Sequence, residues 1–167
     1  MSGEHKFVVD GLRLAYNGPF DLVDFYAFTE DFMRKRGFEK EIKKKVEHTL
    51  AAGMQAEWNV EWFREVGNTF EHVVRIRFLA TNVTSVIITK NDAQRTLQHG
   101  DVTILVDGIV HSELEGQWQK KPLFYFLRAL YDKYIYKVWT EREDAAVRKH
   151  AYDLHQALKD YFARYQF

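Results

Sequence analysis

The sequence has no cysteine, only two prolines and no net charge. Without cysteine there can be no disulfide, thiolate nucleophile or cysteine-based metal site. Lys+Arg number 24 against 24 Asp+Glu, which removes the simplest electrostatic argument for DNA or RNA binding. No apolar run approaches the roughly 18 residues of a membrane span, and the N-terminal MSGEHKFVVD lacks the basic and apolar regions of a signal peptide. We therefore expect a cytoplasmic protein with no nucleic-acid partner and no membrane span.

The composition is that of a folded chain. Hydrophobic residues make up 46% of the 167 residues and aromatic residues 16%, which argues against disorder. This length suits one domain with a full-sized core. Because the sequence has no repeat, low-complexity segment or linker, we predict a single domain over residues 1–167.

The first part of the chain predicts a strand followed by a helix. Phe7–Leu14 is rich in β-forming residues, with Gly11 as a possible bulge. Asp21 can act as the N-cap of a helix that ends at Arg36 and Gly37, where glycine suits the left-handed position after the last turn.

The next segment, Phe38–Leu50, is ambiguous. Its apolar residues recur every four positions, which fits one face of a helix and also every second inward position of a strand. The Glu and Lys content favours a helix, whereas the flanking glycines suit a strand hairpin, so both alternatives stay open.

From Ala56 onward the apolar residues alternate with polar ones, which predicts an antiparallel pair of strands. For both apolar sets to share a face, the loop near Gly67 must hold an odd number of residues, and we predict three. This register places Glu57, Asn59 and Glu61 opposite or diagonal to Arg75 and Arg77.

Two further strand patterns and two helical patterns complete the chain. The strand patterns are a short hairpin, Val86–Thr89 with Arg95–Leu97, and a long strand, Val102–Ser112. Leu123–Val138 predicts a central helix with a wide, aromatic-rich apolar face. Thr140 to Glu143 matches a capping box, which predicts that a separate last helix begins there.

The predicted fold class is α+β. An antiparallel β-meander packs against the central aromatic-rich helix, with an N-terminal strand and helix and two C-terminal helices. This order of elements resembles the helix-grip fold of the START and Bet v 1-like superfamily, with Phe7–Leu14, Leu22–Arg36, Ala56–Trp118 and Leu123–Val138 in the corresponding places. The resemblance implies a hydrophobic ligand pocket between the meander and the helix.

A candidate acid/base site lies in the sequence HSELE. His111, Glu113 and Glu115 are spaced by two, so their side chains would share one face of a continued strand. An imidazole beside carboxylates can serve as a general acid/base pair or ligate a metal. We favour the simpler interpretation of a polar outer strand face. No motif calls for a cofactor or a metal site.

The same outer face offers a candidate interface. Arg75 and Arg77 could bind a phosphate or carboxylate, although cross-strand pairing with the glutamates is the favoured interpretation. The apolar residues Val73, Leu105 and Ile109 would be left partly exposed on this face, as an interface requires.

Three functions remain open. The first is a non-catalytic interaction module that forms a homo-oligomer through the outer sheet face or the aromatic edge of the central helix. The second is a helix-grip carrier of a small apolar ligand, with a pocket lined by Trp58, Trp62 and Ile104 and by Tyr131 and Tyr134 of the central helix. The third is a small acid/base enzyme that uses His111 and Glu113.

Overall fold

A computed structural model describes residues 4–67, 69–112 and 137–166 of the chain. These residues form five strands and two helices. In chain order they are β1 (Glu4–Phe20), α1 (Leu22–Lys35), β2 (Glu39–Leu50), β3 (Gly53–Val66), β4 (Phe70–Lys90), β5 (Ala93–Ser112) and α2 (Lys137–Ala163).

The five strands form one antiparallel sheet in the order β1-β5-β4-β3-β2. Strands β2 to β5 follow one another as a meander, and β1 adds to the free edge of β5. The predicted α+β class with an antiparallel meander is therefore confirmed. Within the described residues, neither helix has the length and apolarity needed to cross a membrane.

Both helices bury apolar side chains against one face of the sheet. Phe25 of α1 stacks on Phe78 of β4 and on Phe162 of α2, with ring centroids 4.7 and 5.6 Å apart. All three side chains are at most 1% exposed. Their contact joins α1, α2 and the sheet into a single core.

The local turn predictions are confirmed. Asp21 caps α1, since its side chain accepts a hydrogen bond from the Asp24 N–H at 3.1 Å. Gly37, with φ +84°, follows the helix, and Gly11, with φ +70°, lies at a register shift of β1. The pairing of Val66 with Phe70 leaves three residues in the connecting loop, as the alternation requires.

Phe38–Leu50 is a strand for most of its length. From Glu39 it pairs with β3, whose other edge is taken by β4. Its alternation of charged and apolar residues suits a strand at the end of the sheet order, where both faces are largely exposed. The short hairpin predicted at Val86–Thr89 is the distal end of the continuous β4–β5 hairpin.

The predicted boundary between two C-terminal helices is wrong. Helix α2 runs without interruption through Thr140. The sequence predicts that Glu143 completes a capping box. Its carboxylate instead forms a hydrogen bond with Nε2 of His72, a side chain buried in the sheet. Of the predicted central helix Leu123–Val138, only Lys137 and Val138 lie within the described residues, and both belong to α2.

Tyr26 of α1 makes unfolding sensitive to alkaline pH. Its ring lies 4.7 Å from that of Trp58, and Lys45 sits above it at 4.4 Å. Burial, with a smaller contribution from the charge of Glu47, raises the pKa of Tyr26 to about 12. In the unfolded chain a tyrosine loses its proton near pH 10, so the unfolded state holds fewer protons above that pH. The free energy of unfolding should therefore fall between about pH 10 and pH 12.

Urea unfolding of the wild type and Tyr26→Phe at several pH values between 8 and 12 tests this expectation. The variant should lose less stability at alkaline pH, because it lacks a hydroxyl whose pKa is raised on folding. Tyr152→Phe is the control, since Tyr152 is 51% exposed. Equal pH slopes for the two variants would contradict the expectation.

Candidate functional site

A pocket of about 270 Å³ is formed by the start of α1, the end of α2 and the distal part of the β4–β5 hairpin. We call it the tyrosine–arginine pocket. It is lined by Asp24, Ile88, Arg95, Leu97, Tyr161, Arg164 and Tyr165.

One wall of the tyrosine–arginine pocket is a hydrogen-bonded group of three side chains. The hydroxyls of Tyr161 and Tyr165 both donate to Oδ2 of Asp24, at 2.8 and 3.0 Å. Burial is the main cause that raises the pKa of each tyrosine. Both hydroxyls therefore stay protonated at neutral pH and act as donors to the carboxylate.

Two arginines supply positive charge to the same pocket. Arg95 is held by an ion pair between its Nη2 and Oδ2 of Asp21, at 2.9 Å, and it lies 5.8 Å above the ring of Tyr165. Arg164 lies 6.0 Å above the ring of Phe28. Among the described residues no carboxylate pairs with Arg164 within 4.0 Å. One guanidinium is thus fixed in place by a carboxylate, and the other has no ion-pair partner within the described part of the chain.

The apolar part of the lining comes from the hairpin. Ile88 lies directly opposite Arg95 in the register of β4 and β5. Leu97 is 1% exposed and belongs to the core. The pocket therefore combines an apolar surface with charges of both signs.

Sequence reasoning did not find this pocket, because its residues come from α1, β4, β5 and the end of α2, far apart in the chain. The one available signal was the pair of tyrosines at 161 and 165 in the apolar stripe of the last helix. A buried tyrosine hydroxyl needs a hydrogen-bond partner, which here is Asp24 of α1.

A second depression, of about 300 Å³, is less suited to a ligand. It is lined by Gly37, Glu39, Phe63, Arg64 and Glu65. Phe63 is its only large apolar side chain, and Arg64 already donates to the backbone carbonyl of Arg36 at 3.4 Å. We therefore base the functional argument on the tyrosine–arginine pocket.

The residues predicted to line a ligand cavity lie in the core. Trp58, Trp62 and Ile104 are at most 3% exposed. The ring of Trp58 lies edge-on to Phe25 at 5.9 Å, so α1 supplies part of its surroundings. Tyr131 and Tyr134, which were predicted to complete the lining, fall outside the described residues.

His111 of the predicted acid/base site contacts residues from neighbouring strands. Its ring stacks on His5 of β1, with centroids 4.1 Å apart, and its Nδ1 lies 4.0 Å from Oε1 of Glu71. Glu113 and Glu115 fall outside the described residues. Across residues 4–67, 69–112 and 137–166, no group of three or more potential metal-ligating side chains comes together.

Arg75 and Arg77 do not form the predicted ion pairs with Glu57 and Glu61. The register is as predicted, since Glu61 faces Arg75, but both arginines bind the carboxylate of Asp107 at 2.9 and 3.0 Å. Asp107 faces Arg75 from the other side, on β5, and is fully buried. A buried carboxylate attracts a guanidinium more strongly than a solvated one does.

The predicted exposure of Val73 and Ile109 is wrong. These residues are 8% and 7% exposed, and they pair with each other across β4 and β5. Leu105 is partly buried. The homo-oligomer itself stays a prediction.

No protein-family model, curated protein or solved structure matches the chain. The geometry of the tyrosine–arginine pocket is therefore the basis for assigning a function.

Proposed function

We propose that the protein binds a small organic anion, a carboxylate with an apolar body, in the tyrosine–arginine pocket. The observation that carries this proposal is that two guanidinium groups and the apolar side chains of Ile88 and Leu97 line one pocket of about 270 Å³. Guanidinium groups pair with carboxylates through two parallel hydrogen bonds. The apolar side chains would then contact the body of the same molecule.

The charges within the pocket favour an anion near Arg164. The charge of Arg95 is balanced by Asp21, and Asp24 accepts two tyrosine hydroxyls and lies in the first turn of α1, where the helix dipole stabilises a negative charge. Arg164 is exposed and has no carboxylate partner among the described residues. The carboxylate of a ligand would therefore pair with the guanidinium of Arg164, which has no ion partner among the described residues.

The volume limits the size of the ligand. Pockets for drug-sized molecules usually measure roughly 300–1,000 Å³, and this one is slightly below that range. The helix-grip resemblance of the element order implies a carrier of a small ligand, which is the same class of function at a different position in the fold.

Isothermal titration calorimetry with 4-methylpentanoate and 3-phenylpropionate tests the proposal. We expect at least one of these carboxylates to bind to the wild type. Arg164→Gln should weaken that binding about tenfold or more, since a hydrogen bond to a charged group contributes roughly 1.5–3 kcal/mol.

Arg148→Gln is the matched control, because Arg148 is an exposed arginine of α2 that does not line the pocket. It should leave the affinity unchanged. The proposal is wrong if no carboxylate-bearing compound binds, with or without an amino group, or if the two variants bind with equal affinity.

A further inference from the structure

Among the described residues, Asp24 is the one carboxylate in the lining of the tyrosine–arginine pocket. It lies three residues after Asp21, and the two have different partners. Asp21 forms an ion pair with Arg95, whereas among the described residues no lysine, arginine or histidine lies within ion-pair distance of Asp24. The pocket thus contains a carboxylate and a guanidinium, Arg164, that both lack an ion partner in the described part of the chain.

The hydrogen bonds to Asp24 use only one of its two oxygens. Tyr161 and Tyr165 both donate to Oδ2. A carboxylate can accept about four hydrogen bonds in total, and no described side chain donates to Oδ1. The two hydroxyls fix the orientation of the carboxylate and leave Oδ1 able to accept a donor from a ligand.

A ligand without an N–H or O–H donor would leave this acceptor unused, and a neutral donor would leave the charge of Asp24 unbalanced. A carboxylate-bearing ligand placed beside Asp24 would also meet like-charge repulsion unless it carried a cation. An ammonium group on the ligand removes both problems, because it donates to Oδ1 and neutralises the charge of Asp24.

We infer that the ligand is a zwitterion, an amino acid with an apolar side chain. Its carboxylate would bind Arg164 and Arg95, its ammonium group would bind Asp24, and its side chain would contact Ile88 and Leu97. This inference rests on the proposed function, because it assigns the carboxylate to the same arginines, and it adds a second charged group to the ligand.

Calorimetric titration with matched compounds tests the inference. L-Leucine is compared with 4-methylpentanoate, which lacks only the amino group, and with 3-methylbutylamine, which lacks only the carboxylate. L-Phenylalanine is compared with 3-phenylpropionate in the same way. We expect at least one amino acid to bind about tenfold or more tightly than either of its analogues, as one charged hydrogen bond would provide.

Substitution of Asp24 separates this inference from the proposed function. Asp24→Asn keeps an oxygen that can accept the tyrosine hydroxyls but removes the negative charge. It should weaken binding of the amino acid about tenfold and leave binding of the deaminated carboxylate unchanged or slightly tighter. Asp31→Asn, at an exposed position of α1 that does not line the pocket, is the matched control and should change neither affinity.

The possible outcomes are distinguishable. If the deaminated carboxylates bind as tightly as the amino acids, the inference is overturned while the proposed function stands. If Asp24→Asn leaves amino-acid affinity unchanged, the inference is also overturned. If only 3-methylbutylamine binds, or if no compound binds, both the inference and the proposed function are wrong.

Discussion

Replacing Phe25 by alanine is expected to lower the free energy of unfolding by about 3–5 kcal/mol. The Phe25 side chain is fully buried, and its ring contacts Phe78, Phe162 and Trp58 at centroid distances of 4.7, 5.6 and 5.9 Å. The substitution removes an aromatic ring at the point where both helices meet the sheet. Because these neighbouring rings come from three different elements, β3, β4 and α2, they cannot all move inward to fill the space.

Urea unfolding monitored by far-UV circular dichroism gives the change in stability. Val23→Ala, on the same helix at a side chain that is 76% exposed, is the control and should change stability by no more than about 0.5 kcal/mol. A loss below about 1 kcal/mol for Phe25→Ala would contradict the packing described for this core.

Replacing Asp107 by alanine is expected to cost about 1.5–3 kcal/mol, the range for hydrogen bonds to a charged group, since the two arginines left behind are 29% and 39% exposed and can be solvated. Asp107 accepts hydrogen bonds from Arg75, from Arg77 and from the backbone N–H of Gly11, the last at 2.7 Å. Without the carboxylate, two partly buried guanidinium groups and the N–H at the β1 bulge lose their acceptor. The effect should therefore extend to the attachment of β1 to the sheet.

Asp107→Asn separates charge from shape, since the amide oxygen can still accept the Gly11 N–H. It should destabilise the protein less than Asp107→Ala does. The control is Asp31→Ala, because Asp31 forms an exposed ion pair with Lys35 within α1, which should contribute about 0.5 kcal/mol or less. Similar losses of stability for Asp107→Ala and Asp31→Ala in thermal unfolding would show that the contacts of Asp107 do not stabilise the sheet as expected.

The pattern of the sequence predicts individual elements well where the period is unambiguous. The alternation around Trp58 and Ile76 predicts strands, their shared face and the three-residue loop between them, because a strand exposes successive side chains on opposite faces. Asp21 and Gly37 predict where α1 begins and ends, since capping depends on residues close in sequence.

The pattern fails where a residue has a distant partner. The residue pattern of Phe38–Leu50 fits either a helix or a strand, and most of the segment is a strand because it pairs with β3. Glu143 matches a local capping signal but binds His72, 71 residues earlier in the chain. Arg75 and Arg77 face glutamates that the register predicts correctly, yet they bind Asp107 because its burial strengthens the attraction.

By itself, the sequence determined the α+β class, the meander and the residues that point into the core, because these follow from hydrophobic periodicity and from local capping and turn preferences. Only the tertiary structure decided which charged and polar side chains meet, including Asp107 with its two arginines and Asp24 with Tyr161 and Tyr165. Such contacts join residues up to 141 positions apart. Their formation depends on strand register and helix packing, which no local pattern specifies.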